Sequence, residues 1–89
     1  MSLTPSSVPS IWRLARLDFD AVRQQHVLLY PEGAVLLNET GAAILELCDG
    51  QRSIRVIADL LQQRYNVDVV DDVTEYLNGL VEKELIRVG

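Results

Sequence analysis

Two short apolar runs lie in the first half of the chain, and each has the length of a β-strand. Residues 26–30 (HVLLY) and 34–37 (AVLL) are separated by Pro-Glu-Gly at 31–33, a combination typical of a chain reversal. The pattern predicts a β-hairpin over 26–37. Both runs are apolar on both faces, which indicates that one face meets the core and that the other is covered by something else. Imperfect alternation of apolar and charged residues over 11–20 (IWRLARLDFD) predicts a further strand.

Apolar residues recur at helical spacing in the second half of the chain. Asn38 is suited to cap a first helix over 39–48, and Gly50 is suited to end it in a left-handed conformation. Ser53 is suited to cap a second helix, which Asn66 can close. The apolar positions of this second helix follow the spacing i, i+3, i+4, i+7 and i+11: Ile54, Ile57, Ala58, Leu61 and Tyr65.

A third helix, capped by Asp68 or Asp71, carries a wider apolar face. Its members are Val69, Val73, Tyr76, Leu77, Leu80 and Val81. Residues 85–88 are predicted as a short strand or an extended tail. The order β-β-β-α-α-α predicts an α+β domain in which a small antiparallel sheet packs on a three-helix bundle. The last two helices, joined at 66–71, form a helix-turn-helix-like pair, so the expected architecture is winged-helix-like.

The chain of 89 residues is long enough for one small domain. Residues 1–10 (MSLTPSSVPS) are rich in Ser and Pro and are predicted to form a flexible N-terminal arm. Residues 11–89 then form the single domain. The arm has neither the basic start nor the apolar stretch of a secretory signal. No apolar run approaches the roughly 18 residues that a membrane helix needs, so a cytoplasmic protein without a membrane partner is expected.

The charge of the chain argues against nucleic acid as a partner. Thirteen acidic residues against eight Lys and Arg give a formal net charge of −5. Acidic residues are concentrated in 66–89, which contains the helix that would enter the major groove of DNA. Phosphate contacts need Lys and Arg at that place. We therefore expect no nucleic-acid binding.

The residues that could carry chemistry do not form a catalytic set. Cys48 falls on the inner stripe of the first helix and is expected to be a small buried hydrophobe. His26 is the single histidine, which excludes a His-rich metal site within one chain. Asp71 and Asp72 are neighbours that do not face one another, and the helix dipole explains acids in a first turn. We expect no enzyme activity, no metal and no cofactor.

Binding of a peptide or protein is the function that these observations favour. The strand at 34–37 contains no charge and no Pro that would hinder pairing with an added strand. The third helix has more apolar positions than one core-facing stripe requires. A strand edge beside an apolar helix face forms a groove suited to β-augmentation, in which backbone bonds give affinity and side-chain pockets give specificity. In a domain of this size the same residues can equally form the core, and the pattern leaves both interpretations open.

Several segments in a fixed order resemble the PqqD family, pyrroloquinoline quinone (PQQ) biosynthesis protein D. They are 27–38 (VLLYPEGAVLLN), 40–45 (TGAAIL) and 48–50 (CDG), and the resemblance covers about residues 11–88. The sequence departs from the family pattern at Glu84, where a Gly ending the last helix is expected.

The resemblance implies a peptide-recognition domain that performs no chemistry itself. It implies that the chain binds the precursor peptide PqqA and presents it to the radical S-adenosylmethionine enzyme PqqE. In related domains the peptide adds as a strand beside the third strand and packs against the third helix. Carried onto this sequence, the expected peptide-binding residues are Ala34, Val35, Leu36, Leu37, Asn38, Val73, Tyr76, Leu77 and Leu80. The alternative is a winged-helix-like adaptor or regulatory module with another protein partner, and a homodimer stays open.

Overall fold

A computed structural model of the chain describes residues 3–65 and 70–88. The elements in chain order are β1 (Pro9–Ile11), β2 (Arg16–Asp20), β3 (Gln25–Tyr30), β4 (Gly33–Leu37), α1 (Glu39–Glu46), α2 (Ile54–Tyr65), α3 (Val70–Glu82) and β5 (Ile86–Val88). All strand pairs are antiparallel. The predicted α+β class, with small antiparallel sheets and three helices, is confirmed. The expected roles of Asn66, Asp68 and Val69 fall outside the described residues.

The predicted single strand over 11–20 is wrong, because this segment contributes to two different sheets. Ile11 ends β1, and a turn closed by the Ala15 N–H donating to the Trp12 carbonyl at 2.9 Å redirects the chain into β2. β1 pairs with β5 in a separate two-stranded ribbon, so the C-terminal residues form a strand. The turn residues break the alternation, which is why the sequence pattern over 11–20 was imperfect.

The three-stranded sheet has the order β2-β3-β4. Its second hairpin places Tyr30 opposite Gly33 across a two-residue loop, which confirms the prediction for 26–37. Leu28, at the centre of the sheet, is fully buried against the helices. Val27, its neighbour on the opposite face, is also buried but lies outside the main core cluster. Both faces of this hairpin thus carry apolar residues, and the helices cover one of them.

The N-terminal residues are placed differently from the flexible arm predicted over 1–10. The Leu3 side chain lies in the core, and β1 begins at Pro9. The carbonyls of Ser7 and Pro5 accept hydrogen bonds from the N–H groups of Ile54 and Arg55, each at 2.9 Å. Since the first N–H groups of a helix have no partner within the helix, this segment satisfies the start of α2. Within the described residues, Leu3, Pro5 and Ser7 therefore pack or bond to the rest of the chain.

Each helix buries one apolar stripe. The Asn38 side chain caps α1 as predicted, with Oδ1 accepting from the Gly41 N–H at 2.7 Å. The Ser53 hydroxyl accepts from the Val56 N–H at 3.3 Å at the start of α2. Stripe residues that are less than 6% exposed are Ile44, Leu45, Cys48, Ile54, Ile57, Ala58, Leu61, Val73, Leu77 and Leu80. Together with Leu28 and Leu37 from the sheet they form the core.

The end of α3 is a Schellman motif with Glu84 in the left-handed position. The Leu85 N–H donates to the Leu80 carbonyl at 3.0 Å, and the Glu84 N–H donates to the Val81 carbonyl at 2.9 Å. The φ angle of Glu84 is 63°, a conformation that glycine adopts most readily. The departure from the family pattern noted at this position therefore changes the residue type without preventing the helix from ending.

We predict that Glu84→Gly raises the free energy of unfolding by about 1 kcal/mol, because glycine relieves the left-handed strain. Urea denaturation of both proteins measures the difference. The control is Glu82→Gly, at the last helical residue, which is expected to lower stability because it introduces glycine into right-handed helix. Equal stability of Glu84→Gly and the unmodified protein would contradict the strain argument.

We predict that Leu3→Ala lowers the free energy of unfolding by about 2 kcal/mol, because the Leu3 side chain is only 8% exposed. The matched control is Leu14→Ala, since Leu14 is 53% exposed and its truncation removes little buried surface. Thermal or urea denaturation distinguishes the two variants. Indistinguishable stabilities would show that the N-terminal segment is not packed in solution.

Candidate functional site

The outer edge of β4 is open, because no described strand pairs with it. Tyr30 and Gly33 face each other where the two-residue loop closes. A facing pair either exchanges its own hydrogen bonds or lies between bonds made by the neighbouring residues, and the second arrangement would need an N–H on Pro31, which proline lacks. Tyr30 and Gly33 therefore exchange hydrogen bonds with each other. Antiparallel pairs alternate between bonded and non-bonded positions. The backbone groups of Gly33, Val35 and Leu37 therefore point to β3, whereas those of Ala34 and Leu36 point outward. These two residues supply the hydrogen-bonding groups of the free edge.

The side chains of β4 divide between the two faces of the sheet. Ala34 and Leu36 lie on the face away from the helices, and Leu36 is 50% exposed. Val35 lies on the helix side, where it is half-buried and packs against the core. Leu37, also on the helix side, is 2% exposed. Of the predicted strand residues, Leu37 therefore belongs to the core, and the other three border the edge.

The predicted helix residues also divide between core and surface. Val73 and Leu77 are fully buried and Leu80 is 5% exposed, because α3 must use this stripe to cover the rest of a small core. Their side chains support the site from below and are not accessible to a ligand in this conformation. Tyr76 is half-buried and lies on the side of α3 that borders the buried stripe. It is the only one of the four predicted α3 residues that is accessible.

Tyr76 joins α3 to the end of β4. A Cβ built on Gly41 would lie 2.5 Å from the Tyr76 hydroxyl and 3.1 Å from Oδ1 of Asn38. The phenol therefore rests on the first turn of α1, next to the residue that follows β4, and the missing side chain of Gly41 leaves room for it. Burial raises the pKa of the Tyr76 phenol, and the nearby Cys48 thiol raises it further. Asn38 thus caps α1 and lies next to Tyr76.

A cleft of about 350 Å³ lies at the opposite end of β4. It is lined by Trp12, Tyr30, Glu32, Lys83, Glu84, Leu85 and Arg87. The Arg87 guanidinium lies 6.0 Å from the centre of the Trp12 ring. None of the acidic and basic side chains around the cleft forms an ion pair within the described part of the chain.

Two points of proximity place α3 alongside β4. Tyr76 lies beside Asn38, the residue that follows β4, and Lys83 lies at the cleft beside the loop that precedes Gly33. β4 and α3 therefore run in opposite directions along the two sides of one surface, which we call the β4–α3 groove. Its members are Val35 and the outward backbone of Ala34 and Leu36 on one side, and the Tyr76 flank of α3 on the other.

Sequence reasoning did not find the cleft at the end of the groove. Trp12 is the single tryptophan of the chain, and tryptophan is common at binding surfaces, which is a signal that the sequence offered. The structure shows that Trp12 is only partly buried. Lys83 and Tyr30 gave no comparable signal. They come together only because β5 pairs with β1 and carries the end of α3 towards the hairpin.

The residues considered for catalysis, Cys48 and His26, are both in contact with neighbouring groups of the fold. The Cys48 thiol donates to the Ile44 carbonyl at 3.3 Å, and burial together with the neighbouring Asp49 charge raises its pKa to about 12. A thiol with so high a pKa is a poor nucleophile at neutral pH. The His26 ring packs edge-on against Phe19 with 5.0 Å between ring centres. None of the described helices is long and apolar enough to cross a membrane.

Relatives of known family carry the same pattern over nearly the whole chain. Residues 25–86 match the family described as Coenzyme PQQ synthesis protein D (PqqD). A protein of Methylococcus capsulatus named PqqA binding protein is 42% identical over 88 residues, which are 98% of this chain and 95% of that one. A Klebsiella pneumoniae protein of the same name is 46% identical over 83 residues, covering 91% and 90% of the two chains.

A solved structure shares the fold. It is the solution NMR structure of the PqqD truncation of Methylobacterium extorquens PqqCD, described as a functional and stand-alone recognition element for ribosomally synthesized and post-translationally modified peptides. The TM-score is 0.85 at 37% identity, and the match covers 97% of this chain and 95% of that one. The fold is thus that of a small recognition-element domain. The chain belongs to the PqqD family.

We predict that the protein loses stability as the pH rises above 9.0, the ordinary pKa of a cysteine thiol. The folded pKa of about 12 is the higher one, so the stabilisation is complete below 9.0 and is lost progressively towards 12. The raised pKa of the Tyr76 phenol also lowers stability as the pH rises. Urea denaturation at pH 8 and at pH 10.5 measures the loss. Cys48→Ala is expected to show a smaller loss, and an identical pH dependence in both proteins would contradict the assignment.

Proposed function

We propose that this chain binds the precursor peptide PqqA as an added β-strand on β4 and presents it to the radical S-adenosylmethionine enzyme PqqE in PQQ biosynthesis. The observation that carries the proposal is the open β4 edge beside the accessible flank of α3. Relatives that are 42% and 46% identical are named PqqA binding protein, which supports the choice of peptide.

Backbone pairing at β4 supplies affinity that depends little on peptide sequence. Ala34 and Leu36 each offer one outward N–H and one outward carbonyl, so an added strand forms up to four hydrogen bonds. Each such bond contributes about 0.5–1.5 kcal/mol net. A disordered peptide loses conformational entropy when it is ordered on this edge, so side-chain contacts along α3 must contribute as well. The half-buried ring of Tyr76 is one such contact surface.

Presentation requires no chemistry from this chain. Binding the peptide on a small domain that also docks on the enzyme raises the effective concentration of the reactive residues at the catalytic site. A Methylorubrum extorquens relative supports a role within assemblies: it is named Bifunctional coenzyme PQQ synthesis protein C/D, and this chain matches 23% of its length at 39% identity. The buried thiol of Cys48 and the packed ring of His26 agree with a non-catalytic role. We place this binding in the cytoplasm, where a single free cysteine stays reduced.

We predict that Ala34→Pro weakens binding of a synthetic PqqA peptide at least about tenfold, because it removes an outward N–H from the β4 edge. Isothermal titration calorimetry measures the dissociation constant. Since this N–H does not pair with β3, the circular dichroism spectrum of the variant is expected to be unchanged. The matched control is Ala34→Val, which keeps the N–H and favours the strand conformation.

The outcomes of this experiment separate the alternatives. Retained affinity in Ala34→Pro would show that the peptide binds elsewhere. Amide NMR titration of the unmodified protein is then expected to locate the site: shifts confined to 33–38 and 70–83 support the groove. Absence of shifts with PqqA alone and with PqqE added would contradict the proposed function and favour an adaptor with a different protein partner.

A further inference from the structure

Gly79 has no structural reason to be glycine in the unbound protein. It lies within α3, three residues before the end of the helix at Glu82, and it is exposed. A Cβ at this position would meet no described atom within 4 Å. Glycine inside a helix is less stable than alanine, so this position forgoes stability without any steric gain. Gly41 and Gly50 differ, because Gly41 accommodates Tyr76 and Gly50 has a φ of 79°.

The place of Gly79 on α3 directs it to the β4–α3 groove. Tyr76, Gly79 and Lys83 follow the spacing i, i+3 and i+7, so they share one flank of the helix. Tyr76 reaches the end of β4 through Asn38, and Lys83 lines the cleft at its beginning. Gly79 therefore lies between Tyr76 and Lys83 along the helix, at the exposed border of the wall that faces the open strand edge. At that point the groove has a gap where any other residue would place a side chain.

The spacing along this wall matches the repeat of a β-strand. Gly79 and Lys83 are separated by about 6 Å along the helix axis, at about 1.5 Å per residue. Side chains on one face of a strand recur about every 6.6 Å. A strand added to β4 therefore places one inward side chain over Gly79 when the next one on the same face lies at the cleft of about 350 Å³.

We propose that Gly79 is the seat for a bulky apolar side chain of the bound peptide, which packs on the exposed helix backbone between Tyr76 and Lys83. The aromatic ring of Tyr76 and the aliphatic stem of Lys83 flank the gap towards β4, and the exposed side chains of Glu75 and Glu82 border it on the solvent side, so an apolar group is favoured over an acidic one. Glycine leaves the helix backbone accessible, which permits an approach that a Cβ would prevent. This inference deepens the proposed function and rests on it.

The test is Gly79→Ala, for which stability and binding are expected to change in opposite directions. The melting temperature rises by about 4 to 8 °C, since alanine favours the helix and its Cβ meets open space. The affinity for synthetic PqqA falls about tenfold, because the Cβ occupies the seat. Gly79→Leu fills the gap further and is expected to lower the affinity more. Circular dichroism melting and isothermal titration calorimetry provide the two measurements.

The matched control is Asn78→Ala, which also favours the helix but lies nearly opposite Tyr76 on the helix wheel. It is expected to raise the melting temperature without changing the affinity. A second measurement uses PqqA variants in which each large apolar residue is replaced by alanine in turn. One of them is expected to bind Gly79→Ala as tightly as it binds the unmodified protein, because the shortened side chain leaves room for the added Cβ.

Each result is decisive for one of the two proposals. If PqqA binds the unmodified protein and Gly79→Ala with equal affinity, the seat at Gly79 is overturned and the proposed function stays intact. A lower melting temperature for Gly79→Ala also overturns the seat, because it reveals a structural reason for glycine. Failure of the unmodified protein to bind PqqA, alone or with PqqE, overturns the proposed function, and the seat with it.

Discussion

Burial of the α3 stripe is the interaction on which the arrangement of the groove depends. Val73 and Leu77 are fully buried, and their packing sets the rotation of the helix about its own axis. That rotation directs the flank containing Tyr76 towards β4 and leaves it accessible. If α3 were rotated so that each position were taken by the preceding residue, the acidic Glu75 and Glu82 would face the strand edge in place of Tyr76 and Lys83. The residues that stabilise the fold therefore also determine which residues are available for binding.

An open strand edge is a hazard that most proteins suppress, and β4 lacks the usual protection. Charged residues, Pro and bulges commonly block pairing at an edge. Here Pro31 and Glu32 occupy the loop, and the strand that follows contains only glycine and apolar residues. The two outward residues are Ala34 and Leu36, whose backbones are left for an incoming strand. An unprotected edge of this kind agrees with the proposed pairing of a peptide with β4.

Segments near both ends of the described chain hold the elements around this edge together. β1 pairs with β5, and the carbonyls of Pro5 and Ser7 satisfy the start of α2. Because β5 follows α3 directly, its pairing with β1 also anchors the end of that helix beside the hairpin. When the platform is already ordered, the loss of conformational entropy on binding is confined to the peptide. Glu84, in a strained backbone conformation, lies at the same junction.

Local patterns in the sequence were sufficient for the hairpin, for the three helices and for the class of fold, because period and turn chemistry act between near neighbours. They also identified β4 as an unprotected edge. They did not reveal the pairing of β1 with β5 or the docking of Leu3, since these contacts join residues far apart in the chain and leave no periodic signal. Nor could hydrophobicity separate Tyr76, which borders the groove, from Leu77, which is core. Both are apolar at helical spacing, and their environments were decided only when packing against α2 and β5 covered one side of α3 and left the other accessible.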